Sequence, residues 1–162
     1  MKIDLNDILE NIYGGVYYVD KERKIKYWNK EAEEITGFSK EEVLGKHCYD
    51  NILQHVNDKG TNLCHNGCPL HATMEDETKR EADVYLHHKD GQRVPVTIRT
   101  VPLKNEKNEI VGAAELFFKN TKMKSLEEKI NELKQENHRD ELTEINNRKY
   151  LEMILAEIIE RD

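Results

Sequence analysis

The sequence predicts an α+β fold, an antiparallel sheet with short helices on one face, followed by a long C-terminal helical extension. Three observations carry this expectation. Two β-prone runs near the start and three between about residues 80 and 120 enclose several short helical segments, the order expected when strands pair as hairpins and helices gather on one side. All 8 glycines, all 3 prolines, the single tryptophan and all 3 phenylalanines fall before residue 120. From Thr121 to Asp162 there is neither Gly nor Pro, and Glu, Lys, Leu and Ile dominate, a helix-forming composition.

Taken in order, Leu5, Ile8 and Leu9 follow helical spacing, with Asp4 or Asn6 to cap and Gly14-Gly15 to stop the helix. Val16 to Val19 and Lys24 to Trp28 are β-prone runs joined by a charged turn, hence a hairpin. Asn29 caps a short helix carrying Ala32 and Ile35, which Gly37 ends. Ser39-Lys40-Glu41-Glu42 is a capping box opening a further turn toward Val43 and Leu44. Residues 46–78 read as irregular or short-helical. Strands then follow over Glu81 to His88, Arg93 to Leu103 and Glu109 to Phe118, with Asp90-Gly91 making a tight turn between the first two. Pro95 and Pro102 predict that the middle strand is partly unpaired, or bulged, at those points. Trp28 reads as a packing anchor.

The 162 residues hold 32 acidic and 25 basic side chains, a formal charge of -7, which argues against a general nucleic-acid binder. No apolar run approaches the roughly 18 residues that span a bilayer. The start lacks the positive region and apolar stretch of an export signal, so a cytoplasmic location is expected. In the last segment Met123, Leu126, Ile130 and Leu133 are spaced 3, 4 and 3 apart, and Asn137 takes the next seam position. Such a seam favours a parallel homodimer, with the Asn fixing register; the alternative is an amphipathic helix packed on its own domain.

The residues from Val19-Asp20 through Ile25, Tyr27-Trp28-Asn29, Ala32, Ile35-Thr36-Gly37-Phe38-Ser39 and Glu41-Glu42-Val43-Leu44-Gly45 resemble the front half of a PAS sensor domain. His88-Lys89-Asp90-Gly91, Pro95-Val96, Ile110-Val111-Gly112 and the close at Lys119-Asn120-Thr121 resemble its back half. The likeness covers roughly residues 5–121 and implies a five-stranded sheet with a sensing cavity between sheet and helices. A second resemblance starts at Asp140: Asp140-Glu141-Leu142-Thr143, with Asn147-Arg148 and Tyr150-Leu151, is similar to the opening of a GGDEF domain, the diguanylate cyclase family, with Glu144 where that family has Gly. The expected organisation is a PAS sensor domain over 1–121, a coiled-coil-like signalling helix over 122–139 and the first part of a GGDEF domain over 140–162. No Gly-Gly-Asp/Glu-Glu-Phe signature occurs in the chain, so it is not expected to be the enzyme itself. The resemblance implies a diguanylate cyclase parent.

Cys48, Cys64 and Cys68 are an odd number, which rules out a fully paired disulfide framework within one chain. Thiolates are soft donors suited to zinc or an iron–sulfur cluster. The candidate metal set is Cys48, Cys64, Cys68 and His71, with His65 and His47 as other fourth ligands. Pro69 fits the first position of a helix beginning beside Cys68. Reversible thiol oxidation and plain burial are the alternatives. Seven histidines leave room for an axial haem ligand. Gly45-Lys46-His47-Cys48 lies where flavin-binding light sensors of this superfamily carry a reactive Cys, but the Asn, Arg and Gln they use on the flavin are absent, which argues against flavin. Carboxylate runs such as Glu75-Asp76-Glu77 read as solvated helix faces, and there is no phosphate loop or nucleophile elbow.

Together these readings give a sensory module that detects a redox, metal or small-molecule signal and transmits it through a dimeric helix to a cyclase. The alternative is a ligand-free dimerisation scaffold with structural cysteines.

Overall fold

The computed structural model describes residues 1–139 and 153–156. The elements run α1 (Leu5–Asn11), β1 (Gly15–Asp20), β2 (Ile25–Trp28), α2 (Lys30–Thr36), α3 (Lys40–Val43), α4 (Pro69–Asp76), β3 (Arg80–His87), β4 (Arg93–Lys104), β5 (Ile110–Lys119) and α5 (Thr121–Arg139). The five strands form one sheet in the order β2-β1-β5-β4-β3, every neighbouring pair antiparallel. The predicted α+β sheet is thus present, and β5 lies at its centre.

The local signals act as their chemistry dictates. Asn29 Oδ1 accepts from the Ala32 N–H to cap α2, and Gly37 closes that helix at φ 77°. Ser39 and Glu42 form the reciprocal capping box of α3. Pro69 opens α4, with Cys68 as its N-cap. One expectation is corrected. The first helix ends at Asn11, before the glycines, with Ile12 as its C-cap, and Gly15 belongs to β1. Its lack of a side chain serves packing: a Cβ there would lie 2.2 Å from the Phe117 ring on the paired strand. At the prolines β4 is partly unpaired, the first of the two expected alternatives, and it is not bulged there. Pro95 precedes the first β5 pair, Val96 with Lys119, and Pro102 follows the last β3 pair, Thr100 with Arg80. Each therefore sits where β4 has one neighbour in the ladder, and the register shift falls at Leu103/Lys104 instead.

The inner face of the sheet meets α2, α3, α4 and the 45–56 segment. Trp28, Phe117, Ile98, Leu86 and Val96 pack there with Ala32, Ile35, Val43, Leu53 and Leu70. Fully burying each larger aliphatic or aromatic side chain contributes about 1.5–3 kcal/mol, so this face is the main source of stability. Trp28 is fully buried and its indole N–H donates to the Phe38 carbonyl at 3.1 Å, as an anchor should.

The chain divides into two units, Met1–Asn120 and Thr121–Asp162. In α5, Leu126, Ile130 and Leu133 are half-buried and the other described side chains are exposed. The side chains of Met123 and Asn137, and the segment Asp140 to Leu151 that resembles a cyclase opening, lie outside the described residues. No helix among the described residues is long and apolar enough to cross a membrane.

Candidate functional site

The apolar inner face is interrupted by one polar row. On adjacent strands, Tyr17 of β1 stands opposite Glu115 of β5, and Glu115 opposite Thr100 of β4. All three are buried, Glu115 at 1% exposure. The Thr100 hydroxyl shares a 2.7 Å hydrogen bond with buried Thr73, which ties the row to α4.

His55 meets this row from the segment between α3 and α4. Its position follows from a backbone clamp onto β3: Val56 and Tyr85 exchange two N–H to carbonyl bonds at 2.9 Å, and the His87 N–H donates to the Leu53 carbonyl at 2.7 Å. The imidazole Nε2 lies 3.2 Å from Glu115 Oε1, and neither atom has an aligned hydrogen-bond partner although both are buried. Burial drives both groups to their uncharged forms. It pushes the Glu115 carboxyl up to about 8, against the opposing hydrogen bond from Tyr17, and takes His55 down to about 4. At neutral pH burial therefore favours a protonated carboxyl facing a neutral imidazole inside the core. Burial, then the Glu115 charge, raises the Tyr17 phenol well above its ordinary range.

The three cysteines lie around the same end of the core. Cys48 is buried, and its N–H donates to the Arg23 carbonyl at 3.1 Å. Cys64 is buried and Cys68 half-buried. Arg23 links Cys48 to Cys64: its Nη1 donates to the Cys64 carbonyl at 3.1 Å while its guanidinium lies 4.2 Å over the Tyr49 ring. Burial pushes the Cys64 thiol up to about 11, partly opposed by the His55 backbone N–H, and raises Cys48 further still. An open cavity of about 360 Å³ is lined by Arg23, Cys64, His65, Cys68, His71 and Glu75.

Of the predicted metal set, Cys64, Cys68 and His71 thus border one cavity, with Cys48 deeper in the core. His71 is exposed and engages Glu75 at 3.1 Å on its own helix. Among the described residues, no three His, Cys, Asp or Glu side chains are gathered closely enough to hold a metal ion. His47 pairs with Asp50 at 3.2 Å, and His65 meets the Tyr49 ring edge-on.

Sequence reasoning found the thiols but missed Tyr17, His55, Thr73, Thr100 and Glu115. One signal was present: Glu115 falls at an inward position of the alternating strand Ala113 to Phe117, where an acid has no ordinary reason to be. His55 had no such signal, because its burial depends on the clamp to β3.

A family model described as PAS fold matches residues 3–116, and the chain belongs to that family. PAS is a fold of sensory domains. The structure is similar to the PAS domain of a protein from Colwellia psychrerythraea, with 25% identity and TM-score 0.60 over 72% of this chain and 94% of that one. It is also similar to the Vibrio cholerae VqmA dimer, a LuxR-type receptor (13% identity, TM-score 0.59), over 74% of this chain and 52% of VqmA. The blue-light photoreceptor Aureochrome1 LOV, 17% identical with TM-score 0.53 over 72% of this chain and 89% of that one, shares the fold. No curated protein matches the sequence.

Proposed function

We propose that this chain is the sensory module of a cytoplasmic signalling protein, in which an event at the thiol-bearing segment is passed through β5 and a dimeric α5 to a diguanylate cyclase output. The observation that carries this reading is Glu115. It is a carboxylic acid buried at 1% exposure on the strand that leads into α5, and it faces His55 on the segment that holds the thiols. A buried polar pair with unaligned bonds costs stability, so its retention makes sense where two packings of the core must lie close in energy.

Cys48, Cys64, Cys68 and His71 form the site at which a redox change, a soft metal or a small molecule is read. A metal would require His71 to leave Glu75 and the sulfurs to draw together around Arg23. The half-buried stripe Leu126, Ile130 and Leu133 supplies the dimer seam. The residues from Asp140 that resemble a GGDEF opening supply the assignment of the output.

The test is cyclic-di-GMP formation from GTP by the full-length protein, purified anaerobically and compared with and without oxidant or zinc. A coupling of about 1–3 kcal/mol corresponds to about a 5–150-fold change in output. Glu115→Leu should abolish the difference. Turnover indifferent to every treatment, with protein free of metal and chromophore, favours the ligand-free scaffold.

A further inference from the structure

We propose that Cys64 and Cys68 are a dithiol switch that a hydroperoxide closes into a disulfide. This rests on the sensory reading above and narrows its signal to one chemical class. Both residues line the open 360 Å³ cavity, and they differ in access: Cys68 is half-buried while Cys64 is buried. The turn between them carries Gly67 at φ +87°, with nothing within 4 Å of where a Cβ would project. That left-handed residue turns the chain so that both flanking cysteines border one cavity, and its open surroundings leave the turn room to tighten. Cys68 is the N-cap of α4 yet makes no side-chain capping bond, so its sulfur is not committed to the helix. Arg23 lines the same cavity, with one guanidinium N–H engaged by the Cys64 carbonyl and others left to meet an oxygen anion.

The chemistry divides between the two thiols by access. The Cys68 thiolate attacks the terminal oxygen of ROOH. The O–O bond breaks, Cys68 becomes a sulfenic acid, and RO⁻ leaves beside Arg23 and takes up, through water, the proton that the Cys68 thiol released, giving ROH. The Cys64 sulfur then attacks the Cys68 sulfur, losing its proton to the departing hydroxide. The S–S bond forms, water leaves, and the two thiols have lost the two electrons that reduced the peroxide. Reaction at Cys64 reaches His55 through the adjoining backbone, because the N–H of Leu63, the residue before Cys64, donates to the His55 carbonyl at 2.7 Å. His55 in turn faces Glu115 on β5.

The test uses hydrogen peroxide on the reduced, metal-free protein. Titratable thiols should fall from 3 to one per chain, return on treatment with dithiothreitol, and map by peptide mass spectrometry to a Cys64–Cys68 link. Cys64→Ser should instead accumulate a dimedone-reactive sulfenic acid on Cys68, and Cys68→Ser should keep both remaining thiols. Three thiols surviving peroxide, a link through Cys48, or over-oxidation of Cys68 with no link would each overturn the proposal. So would stoichiometric zinc, bound by the anaerobic protein, that blocks the reaction at all three cysteines. That last result would leave the sensory reading standing. A disulfide that forms while full-length cyclase output stays constant would keep the switch and remove the sensory reading.

Discussion

At the scale of single residues, the buried acid and imidazole set a pH signature that can be worked out by counting protons. In the unfolded chain Glu115 titrates near 4.5 and His55 near 6.5; in the folded protein these become about 8 and about 4. Between about 4.5 and 6.5 each state holds one proton on the pair, on the imidazole when unfolded and on the carboxyl when folded, so the pair adds no pH dependence. From about 6.5 to about 8 the folded state keeps a proton that the unfolded state has lost. Stability therefore falls there as pH rises, by about 2 kcal/mol at most. Glu115→Gln should remove that fall and expose the His55 contribution alone, a rise in stability from about pH 4 to about 6.5. Urea unfolding at half-unit pH steps reads both limbs; identical profiles for the two proteins would mean that Glu115 is not held protonated. The pair also marks where sequence stops being informative at this scale. Caps such as Asn29 and Ser39 act on residues two or three positions away and are legible as strings. The contact between residues 55 and 115 is made only when the whole sheet is assembled.

At the scale of elements, hydrophobic alternation and turn chemistry placed every strand within a residue or two, because period-two burial and Asp-Gly turns are local properties. The pairing order was not local. Nothing in the alternation of Ala113 to Phe117 indicates that β5 joins β1 on one side and β4 on the other. That position is what brings Tyr17 and Thr100 to either side of Glu115. It also explains why the prolines of β4 are tolerated, since their tolerance depends on where β3 and β5 begin and end. Three substitutions test these elements. Ser39→Ala removes one arm of the α3 capping box and should cost about 1 kcal/mol in chemical unfolding. Gly15→Val should cost more than Gly45→Asn, because the added side chain meets the Phe117 ring across the strand pair whereas Gly45, at φ +81°, has open space around it and Asn tolerates a positive φ. Equal losses would mean that Phe117 is not pinned against β1.

At the scale of the whole molecule, the chain passes from one unit to the other where β5 ends and α5 begins. The Asn120 side chain secures that end, donating to Thr97 Oγ1 at 3.2 Å and Asp83 Oδ1 at 3.3 Å, so β5 is tied to its neighbours up to the boundary. The apolar stripe of α5 predicts a dimer: Ile130→Lys should convert dimers to monomers in light scattering while leaving the sensor fold intact by circular dichroism. In the proposed function an event at the cysteines is felt in β5 and α5. Hydrogen–deuterium exchange of reduced against peroxide-treated protein tests it most directly. Exchange should change over residues 110–139 as well as 45–76, with the effect on 110–139 lost in Glu115→Leu. Changes confined to 45–76 in every variant would contradict it.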